Sequence, residues 1–255
     1  MKNRILCVIC LFSILATSLV AVGCGSKSIA TPYVAEEFAI CTNASEQGMP
    51  AISGNTVVWT DKRNGNDDIY GFNLSSDTEF AICTNDSDQS SPAISGNIVV
   101  WSGGCDGDFN GYNLGTKEKF TINNFAPNGQ APDKFDISGD IVVWTDYRND
   151  NPDIYGYNLS SGDYFAICTA PYSQSNPDIS GDIAVWDDFR NGYGDIYGYN
   201  LKTGEEFAVC TNAASQDFLN ISAQDFPAIS GNIVVWMDGR NGGSIYGARL
   251  TFDNP

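Results

Sequence analysis

The residues best suited to chemistry in this sequence are a carboxylate and a guanidinium that recur together. The pattern Asp-x-Arg-Asn occurs four times, with the pairs Asp61/Arg63, Asp146/Arg148, Asp188/Arg190 and Asp238/Arg240. Such groups could bind a glycan, a peptide carboxylate or a cation. Alternatively, the aspartate caps a turn through backbone N–H groups and the arginine bridges to a carboxylate of a neighbouring repeat. The repetition favours the structural interpretation, because a single ligand rarely needs four copies of one site.

Composition excludes several kinds of catalysis. The chain has no histidine, which excludes His-based metal sites, a Ser-His-Asp triad and a Cys-His dyad in their usual forms. Carboxylate pairs such as Asp187/Asp188 could suggest glycoside hydrolysis, which needs two unlike carboxylates about 5–10 Å apart across one cleft. No carboxylate is singular enough to nominate. We therefore predict no catalytic residue, and a carbohydrate-active enzyme stays as the alternative.

The composition of the loops suggests one candidate cofactor, the calcium ion. Oxygen-bearing side chains are frequent there, at Asn66, Asp67, Asp68, Asp106, Asp108, Asp150 and Asp153. Carboxylate and amide oxygens are ligands for Ca²⁺. Their spacing, however, does not reproduce an EF-hand, and an arginine stands where a ligand would be needed. We predict no metal site and no cofactor, with Ca²⁺ as the alternative.

The cysteines recur at one place in the repeat, at Cys41, Cys83, Cys168 and Cys210. Equivalent positions of different repeats should lie well beyond the Cα separation of about 7 Å that a disulfide allows. We interpret these four as small buried hydrophobic residues. Cys105 lies in a divergent loop, where a reactive thiol is an open alternative.

All these residues belong to a repeat of about forty residues. Its last copy is "ISGNIVVWMDGRNGGSIYG" (229–247), and each copy holds one tryptophan. The spacings between these tryptophans are 42, 43, 42 and 50 residues. They are Trp59, Trp101, Trp144, Trp186 and Trp236.

Each repeat contains four short β-type runs separated by turn signals such as Gly-Asn and Gly-Asp. The run "IVVW" does not alternate, so both of its faces should be buried. Stacked four-stranded sheets satisfy this requirement, and sheets of about forty residues stacked radially form a β-propeller. An additional outer-strand copy, "EFAICTN" (37–43), precedes the first repeat, and the last repeat lacks one. The sequence therefore predicts a five-bladed antiparallel propeller closed by the N-terminal strand joining the last blade.

The segment "WTDYRNDNPDIYGYNL" (144–159) and its sister copies resemble the repeats of TolB-like, WD40-like (PD40) propellers. The resemblance covers residues 37–250 and implies the propeller fold. It implies little about activity.

The first residues are typical of an export signal. Lys2 and Arg4 precede an apolar run that ends in "AVGC" (21–24), which resembles a bacterial lipobox. The prediction is a signal peptide at 1–23, a lipidated Cys24, a linker at 24–36 and the propeller at 37–255. An ordinary cleaved signal and an uncleaved anchor are alternatives.

The net charge of −18 argues against nucleic-acid binding. We expect an exported, non-enzymatic monomer, anchored by lipid to the cell envelope, that binds an envelope protein or polysaccharide. A structural surface-layer component is a further alternative. Identical blades offer competing subsites, so one ligand should bind where the repeats differ. The candidates in the divergent loops are Cys105, Asp106, Asp108, Phe125, Phe218 and Phe226.

Overall fold

The protein is an all-β propeller of five blades. The computed structural model describes residues 37–103, 109–122, 134–211, 224–239 and 244–251, without the side chains of residues 224 and 225. Residues Ile40–Pro255 belong to one compact unit. The described residues form five antiparallel sheets, and in each the strands follow one another in chain order. Within these ranges, no helix is both long enough and apolar enough to cross a membrane.

Four blades have four strands and the fifth has three. Blades one and two consist of β1 Gln47–Ser53, β2 Thr56–Asp61, β3 Asp68–Asn73, β4 Thr78–Cys83, β5 Gln89–Ser95, β6 Ile98–Gly103, β7 Phe109–Asn113 and β8 Glu118–Ile122. Blades three, four and five consist of β9 Phe135–Ser138, β10 Ile141–Asp146, β11 Asp153–Asn158, β12 Asp163–Cys168, β13 Gln174–Ser180, β14 Ile183–Asp188, β15 Asp195–Asn200, β16 Glu205–Cys210, β17 Gln224–Ser230, β18 Ile233–Asp238 and β19 Ser244–Arg249.

In blades two, three and four the apolar second strand is buried because both of its faces meet other blades. In blade three, Val143 packs towards blade four and Trp144 packs towards blade two. The Trp144 ring lies edge-on to Phe109 of blade two, with ring centroids 5.6 Å apart. The absence of alternation in "IVVW" thus reflects burial between two neighbouring sheets.

The inner strands β1, β5, β9, β13 and β17 are joined by a repeated hydrogen bond. In blades one to four, the serine of "ISG" accepts the backbone N–H of the glycine one blade further on. The four N···O distances are 2.9 or 3.0 Å, from Gly96 to Ser53, Gly139 to Ser95, Gly181 to Ser138 and Gly231 to Ser180. These glycines lie in the turns that follow the inner strands, where φ near +57° favours a residue without a side chain.

The strand exchange expected at the N-terminus is not formed in this structure. Residues 37–46 contain no strand, and the fifth sheet ends at β19. Ile40 and Cys41 nevertheless pack against blade one. The Cys41 Sγ lies 3.9 Å from an oxygen of Asp61, as Cys168 of blade three does from Asp188 of blade four. This part of the segment therefore occupies the outer-strand position beside blade one without pairing with blade five.

Within the described residues, one face of blade five is exposed. The equivalent face of blade one packs against blade two, where Ile69 clusters with Ile94 and Val99. Ile245 is 75% exposed, whereas the equivalent Ile69, Ile154 and Ile196 are fully buried. Val235 is also exposed, and its counterparts in the other blades are buried.

The connections between blades lie on the same side as the loops between second and third strands. In blade one, the Asn66 side chain donates to the carbonyl of Asn85 at 2.8 Å. The Gln89 N–H donates to the carbonyl of Asp67 at 2.7 Å. We call this side the loop face. The opposite side carries the two short hairpin turns of each blade, joined by the hydrogen bond from Leu74 N to Asn55 O at 2.8 Å.

Candidate functional site

The aspartate and arginine of the repeated Asp-x-Arg motif bond to each other and to other residues of their own blade. In blade four, Asp188 is fully buried. One carboxylate oxygen accepts the Trp186 indole N–H at 2.9 Å and Arg190 Nη2 at 2.6 Å. The other accepts the Arg190 backbone N–H and Nε at 2.9 and 2.8 Å. Asp61 and Asp146 repeat this arrangement in blades one and three.

The arginine bonds carboxylates of its own blade, and not of a neighbouring blade as the sequence suggested. Arg190 also binds Glu206 on β16 of the same sheet, at 2.6 and 3.0 Å. Its guanidinium lies over the Tyr197 ring, 4.2 Å from the centroid. The arginine bonds within its own blade because the aspartate two residues earlier belongs to the same turn and lies within reach of its guanidinium. In blade five Trp236 donates to Asp238 at 3.2 Å, and Arg240 lies outside the described residues.

The motif also affects ionisation. Burial alone would raise the pKa of Asp61, but hydrogen bonds from Arg63 and Trp59 outweigh burial and lower the pKa to about 2. The pKa of Asp146 is lowered for the same reasons. These carboxylates are charged and already bonded, so they offer little to a ligand.

Blade two departs from the motif, with Gly103 where other blades have aspartate. Trp101 is buried there, and its indole N–H donates to no described residue. Gly103 has φ +87°, and a Cβ on it would lie 2.3 Å from the carbonyl oxygen of Asp88. An aspartate therefore does not fit at this position. The nominated Cys105, Asp106 and Asp108 follow it and lie outside the described residues.

The other nominated residues fall mostly outside the described ranges. Cys24, Phe125 and Phe218 do so, and Phe226 is described. Phe226 is 61% exposed and has φ +54°. None of the four repeated cysteines is in a disulfide; Cys83, Cys168 and Cys210 are buried as predicted, and Cys41 is partly buried. Burial raises the pKa of Cys168 to about 12, so this thiol is unreactive.

The described differences between blades concentrate on the inner strands. Four of these strands have a β-bulge near their start, and each bulge holds a non-glycine residue at φ between +51° and +54°. These residues are Met49, Ser91, Asn176 and Phe226, and Lys134 takes the corresponding place before β9. We call these five residues the inner rim. Met49 and Phe226 are about equally exposed, at 60% and 61%.

Contacts join the inner rim from blade to blade. The Ser91 hydroxyl lies 3.1 Å from the sulfur of Met49. Asp187 Oδ2 accepts the side-chain N–H of Asn176 at 2.7 Å and the backbone N–H of Phe226 at 3.3 Å. Beside Met49 and Ser91, the inner strands of blades one to three border a cleft of about 280 Å³ that includes Lys134 and Phe135.

A pair of carboxyl groups lies two residues further along the inner strands. Asp136 and Asp178 occupy the position where blades one, two and five have alanine. Their carboxyl groups are hydrogen-bonded to each other. Asp136 also accepts the N–H of Ile179 at 3.2 Å, and Asp178 accepts the N–H of Ile229 at 2.7 Å. Each aspartate thus links its blade to the next. Burial and the adjacent Asp178 raise the pKa of Asp136 to about 8.

This pair predicts a pH dependence of stability. The folded protein favours protonated Asp136, so its stabilising effect is complete below the ordinary pKa of 3.8 and is lost as the pH rises through about 8. Asp136→Asn keeps the hydrogen-bonding groups and removes the titration. We expect the free energy of unfolding of the variant, measured in urea, to gain on that of wild type between pH 5 and pH 9.

Ser138→Ala is the matched control, since it removes a bond to the same blade without changing a titrating group. It should shift stability equally at both pH values. Parallel pH profiles for Asp136→Asn and wild type would contradict the assignment.

Of the inner rim, Phe226 alone was nominated from the sequence, and the carboxyl pair was not nominated, although a signal was present. The inner-strand segments are QGMPAIS, QSSPAIS, DKFDIS, QSNPDIS and QDFPAIS. Aligned by "IS", they differ at the rim position in every blade, and they show aspartate in place of alanine twice.

The fold is a β-propeller similar to those of TolB proteins. Neither protein-family models nor curated protein sequences include a match to this chain. TolB from Acinetobacter baumannii is similar in structure, with a TM-score of 0.57 and 15% identity over 82% of this chain and 53% of that chain. A TolB of Agrobacterium tumefaciens gives a TM-score of 0.56 and 14% identity, over 83% of this chain and 79% of that one.

An oligogalacturonate lyase in complex with manganese is also similar, with a TM-score of 0.57 and 12% identity over 85% of this chain and 69% of that chain. At these identities the similarities establish the fold. Among the residues described here, no three Asp, Glu or Cys side chains cluster in a way that could hold a metal ion.

Proposed function

We propose that this protein is a non-catalytic binding module of the cell envelope, exported and held to the membrane by a lipid on Cys24. Its partner, an envelope protein or polysaccharide, docks on the loop face over the inner rim. The observation that carries this proposal is the inner rim itself. Nearly identical blades hold a different side chain at the rim position, and in four of the five this position has a strained backbone.

Exposed apolar side chains at strained positions support a binding role for the rim, whereas Asp77 and Lys117, which are also at positive φ on the opposite side, are polar. A non-glycine residue at positive φ costs on the order of 1–3 kcal/mol, and such residues concentrate at functional sites. Met49 and Phe226 are large apolar side chains held exposed at this cost. Exposed apolar groups with a few polar neighbours are typical of a binding surface. The Asp-x-Arg motifs, by contrast, have their charges satisfied internally.

The runner-up is a carbohydrate-active enzyme, in line with the fold shared with the oligogalacturonate lyase. Asp136 and Asp178 form a carboxyl pair on the inner strands of blades three and four. Their carboxyl groups touch. Glycoside hydrolases hold their two carboxyl groups about 5 Å apart or more. The pair is therefore better suited to joining blades than to acid–base catalysis.

Site-specific photo-crosslinking in the native envelope tests the proposal. A photoreactive amino acid at position 49 or 226 should yield one discrete crosslinked species. The same probe at Asp77 or Lys117, on the opposite hairpin turns, is the control and should yield none. Equal crosslinking from both faces, or crosslinking from positions 77 and 117 alone, would refute the loop face as the binding surface. Turnover of envelope or plant glycans by the purified protein would favour the enzyme.

A further inference from the structure

A small polar cleft opens on the loop face where blade one meets blade two. It has a volume of about 110 Å³ and is bordered by Glu46, Met49, Thr60, Lys62 and Asp67, with three smaller neighbours. A cavity of about 10–15 Å³ already holds one water molecule. The cleft is therefore large enough for a group of several atoms.

Three buried oxygens at this junction accept no hydrogen bond from any described residue. They are Thr60 Oγ1, Asp67 Oδ1 and Gln89 Oε1. Thr60 is 7% exposed and borders the cleft. Gln89 is fully buried and does not border the cleft, and the equivalent Gln174 also has an unpaired Oε1. Asp67 does border the cleft, and a carboxylate oxygen can only accept. A group that fills the cleft and satisfies Asp67 must therefore be a hydrogen-bond donor.

The charges select a cationic donor. Glu46 and Asp67 border the cleft, and the Asp67 N–H donates to the carboxylate of Asp88 at 3.0 Å. Lys62 is the one cation on the border, with its Nζ 3.1 Å from Glu46 and 3.9 Å from Asp67 Oδ1. The second distance is too long for a hydrogen bond, so Lys62 leaves that oxygen unsatisfied. The local charge stays negative, as does the net charge of −18.

We propose that this cleft binds an arginine side chain of a partner protein. A guanidinium offers five N–H donors in a planar fork and keeps its charge, which matches several acceptors around a carboxylate. Met49 is shared between the cleft and the inner rim. The inference rests on the proposed docking of a partner over the rim, and it narrows that partner to a protein.

No other blade described reproduces the cleft. In blade three, Thr145 is the counterpart of Thr60, and its hydroxyl is also buried and accepts no described hydrogen bond. Tyr147 and Pro152 stand there in place of Lys62 and Asp67. The threonine belongs to the repeat, whereas the charged border belongs to blade one alone. Thr145 therefore serves as a matched control.

The test is a titration of ¹⁵N-labelled protein with Nα-acetyl-arginine amide, followed through the amide signals of residues 48, 60, 67 and 89. The lysine and citrulline analogues provide a different cation and a neutral isostere of arginine. Arginine should shift these signals in a saturable way. Citrulline should bind at least about ten-fold more weakly than arginine. Equal binding of citrulline, or no saturable shift at these residues, would overturn the proposal. Tighter binding of glucosamine than of arginine would overturn it in favour of an amino sugar.

Four variants predict different directions of change. Asp67→Asn should weaken arginine binding about ten-fold or more, because it removes a charge-assisted bond. Thr60→Val should weaken it about five-fold, and Thr145→Val should leave it unchanged. Lys62→Gln should tighten it, because it removes the competing internal cation. Weakening by Lys62→Gln, or equal effects of the two threonine variants, would count against the cleft.

The outcomes separate this inference from the proposed function. Arginine binding in the cleft without any crosslinked partner at position 49 would refute the loop-face function and leave the cleft in place. A crosslinked partner with no arginine binding would do the reverse.

Discussion

Replacing Trp144 with alanine is expected to lower the free energy of unfolding by about 3–5 kcal/mol. Trp144 is 1% exposed and fills the junction between blades two and three. Its ring lies edge-on to Phe109 and to Tyr164, and its indole N–H donates to Asp146 at 2.8 Å. The substitution therefore leaves a cavity and removes a buried hydrogen bond. Urea unfolding followed by circular dichroism measures the loss.

Tyr172→Ala is the control, because Tyr172 is 65% exposed. Surface substitutions usually change stability by about 0.5 kcal/mol or less. If Trp144→Ala costs less than about 1 kcal/mol, the tryptophan does not pack between blades in solution, and the stacking of blades two and three described above is incorrect.

Replacing Asp188 with alanine should destabilise the protein by about 3 kcal/mol or more, as expected when one partner of a buried ion pair is removed. The carboxylate is buried, and the substitution leaves the Trp186 indole N–H without its acceptor and the Arg190 guanidinium with Glu206 as its remaining carboxylate partner. Asp188→Asn retains an acceptor oxygen and should cost less. Chemical unfolding of both variants gives the comparison.

Glu206→Ala provides the matched control on the same arginine. The Glu206 side chain is 33% exposed, and partly exposed ion pairs contribute about 1 kcal/mol or less. Equal losses for Asp188→Ala and Glu206→Ala would show that the buried carboxylate does not organise the turn. A near-wild-type stability of Asp188→Ala combined with lost partner binding would instead make the motif a ligand site.

If both expected losses of stability are observed, the repeated residues stabilise the fold. Partner binding is then expected at positions where the blades differ. The motif aspartates, arginines and tryptophans satisfy one another within a blade. The inner rim and the charged cleft occur where Met49, Lys62, Asp67 and Phe226 replace other residues of the repeat. A ligand of this propeller therefore meets an asymmetric surface built on a nearly symmetric frame.

The fold can be predicted from the sequence alone, because the signals for it are local. The unalternating "IVVW" indicates a strand buried on both faces, and Gly54 and its counterparts mark the turns. The period of about forty residues gives the number of blades. These features depend on residues a few positions apart, so a single copy of the repeat contains them.

Contacts between side chains that are distant in the sequence become visible in the folded protein and could not be predicted. Asp136 and Asp178 belong to different blades, and stacking alone brings their carboxyl groups together. The glycine of "IYG" is required because a Cβ on Gly156 would lie 2.5 Å from the ring of Phe165 on the next strand. In the sequence, nothing distinguishes Thr60 and Gln89 from other polar residues. Their unsatisfied oxygens exist because blade two covers blade one, and burial removes the water that would otherwise bond them.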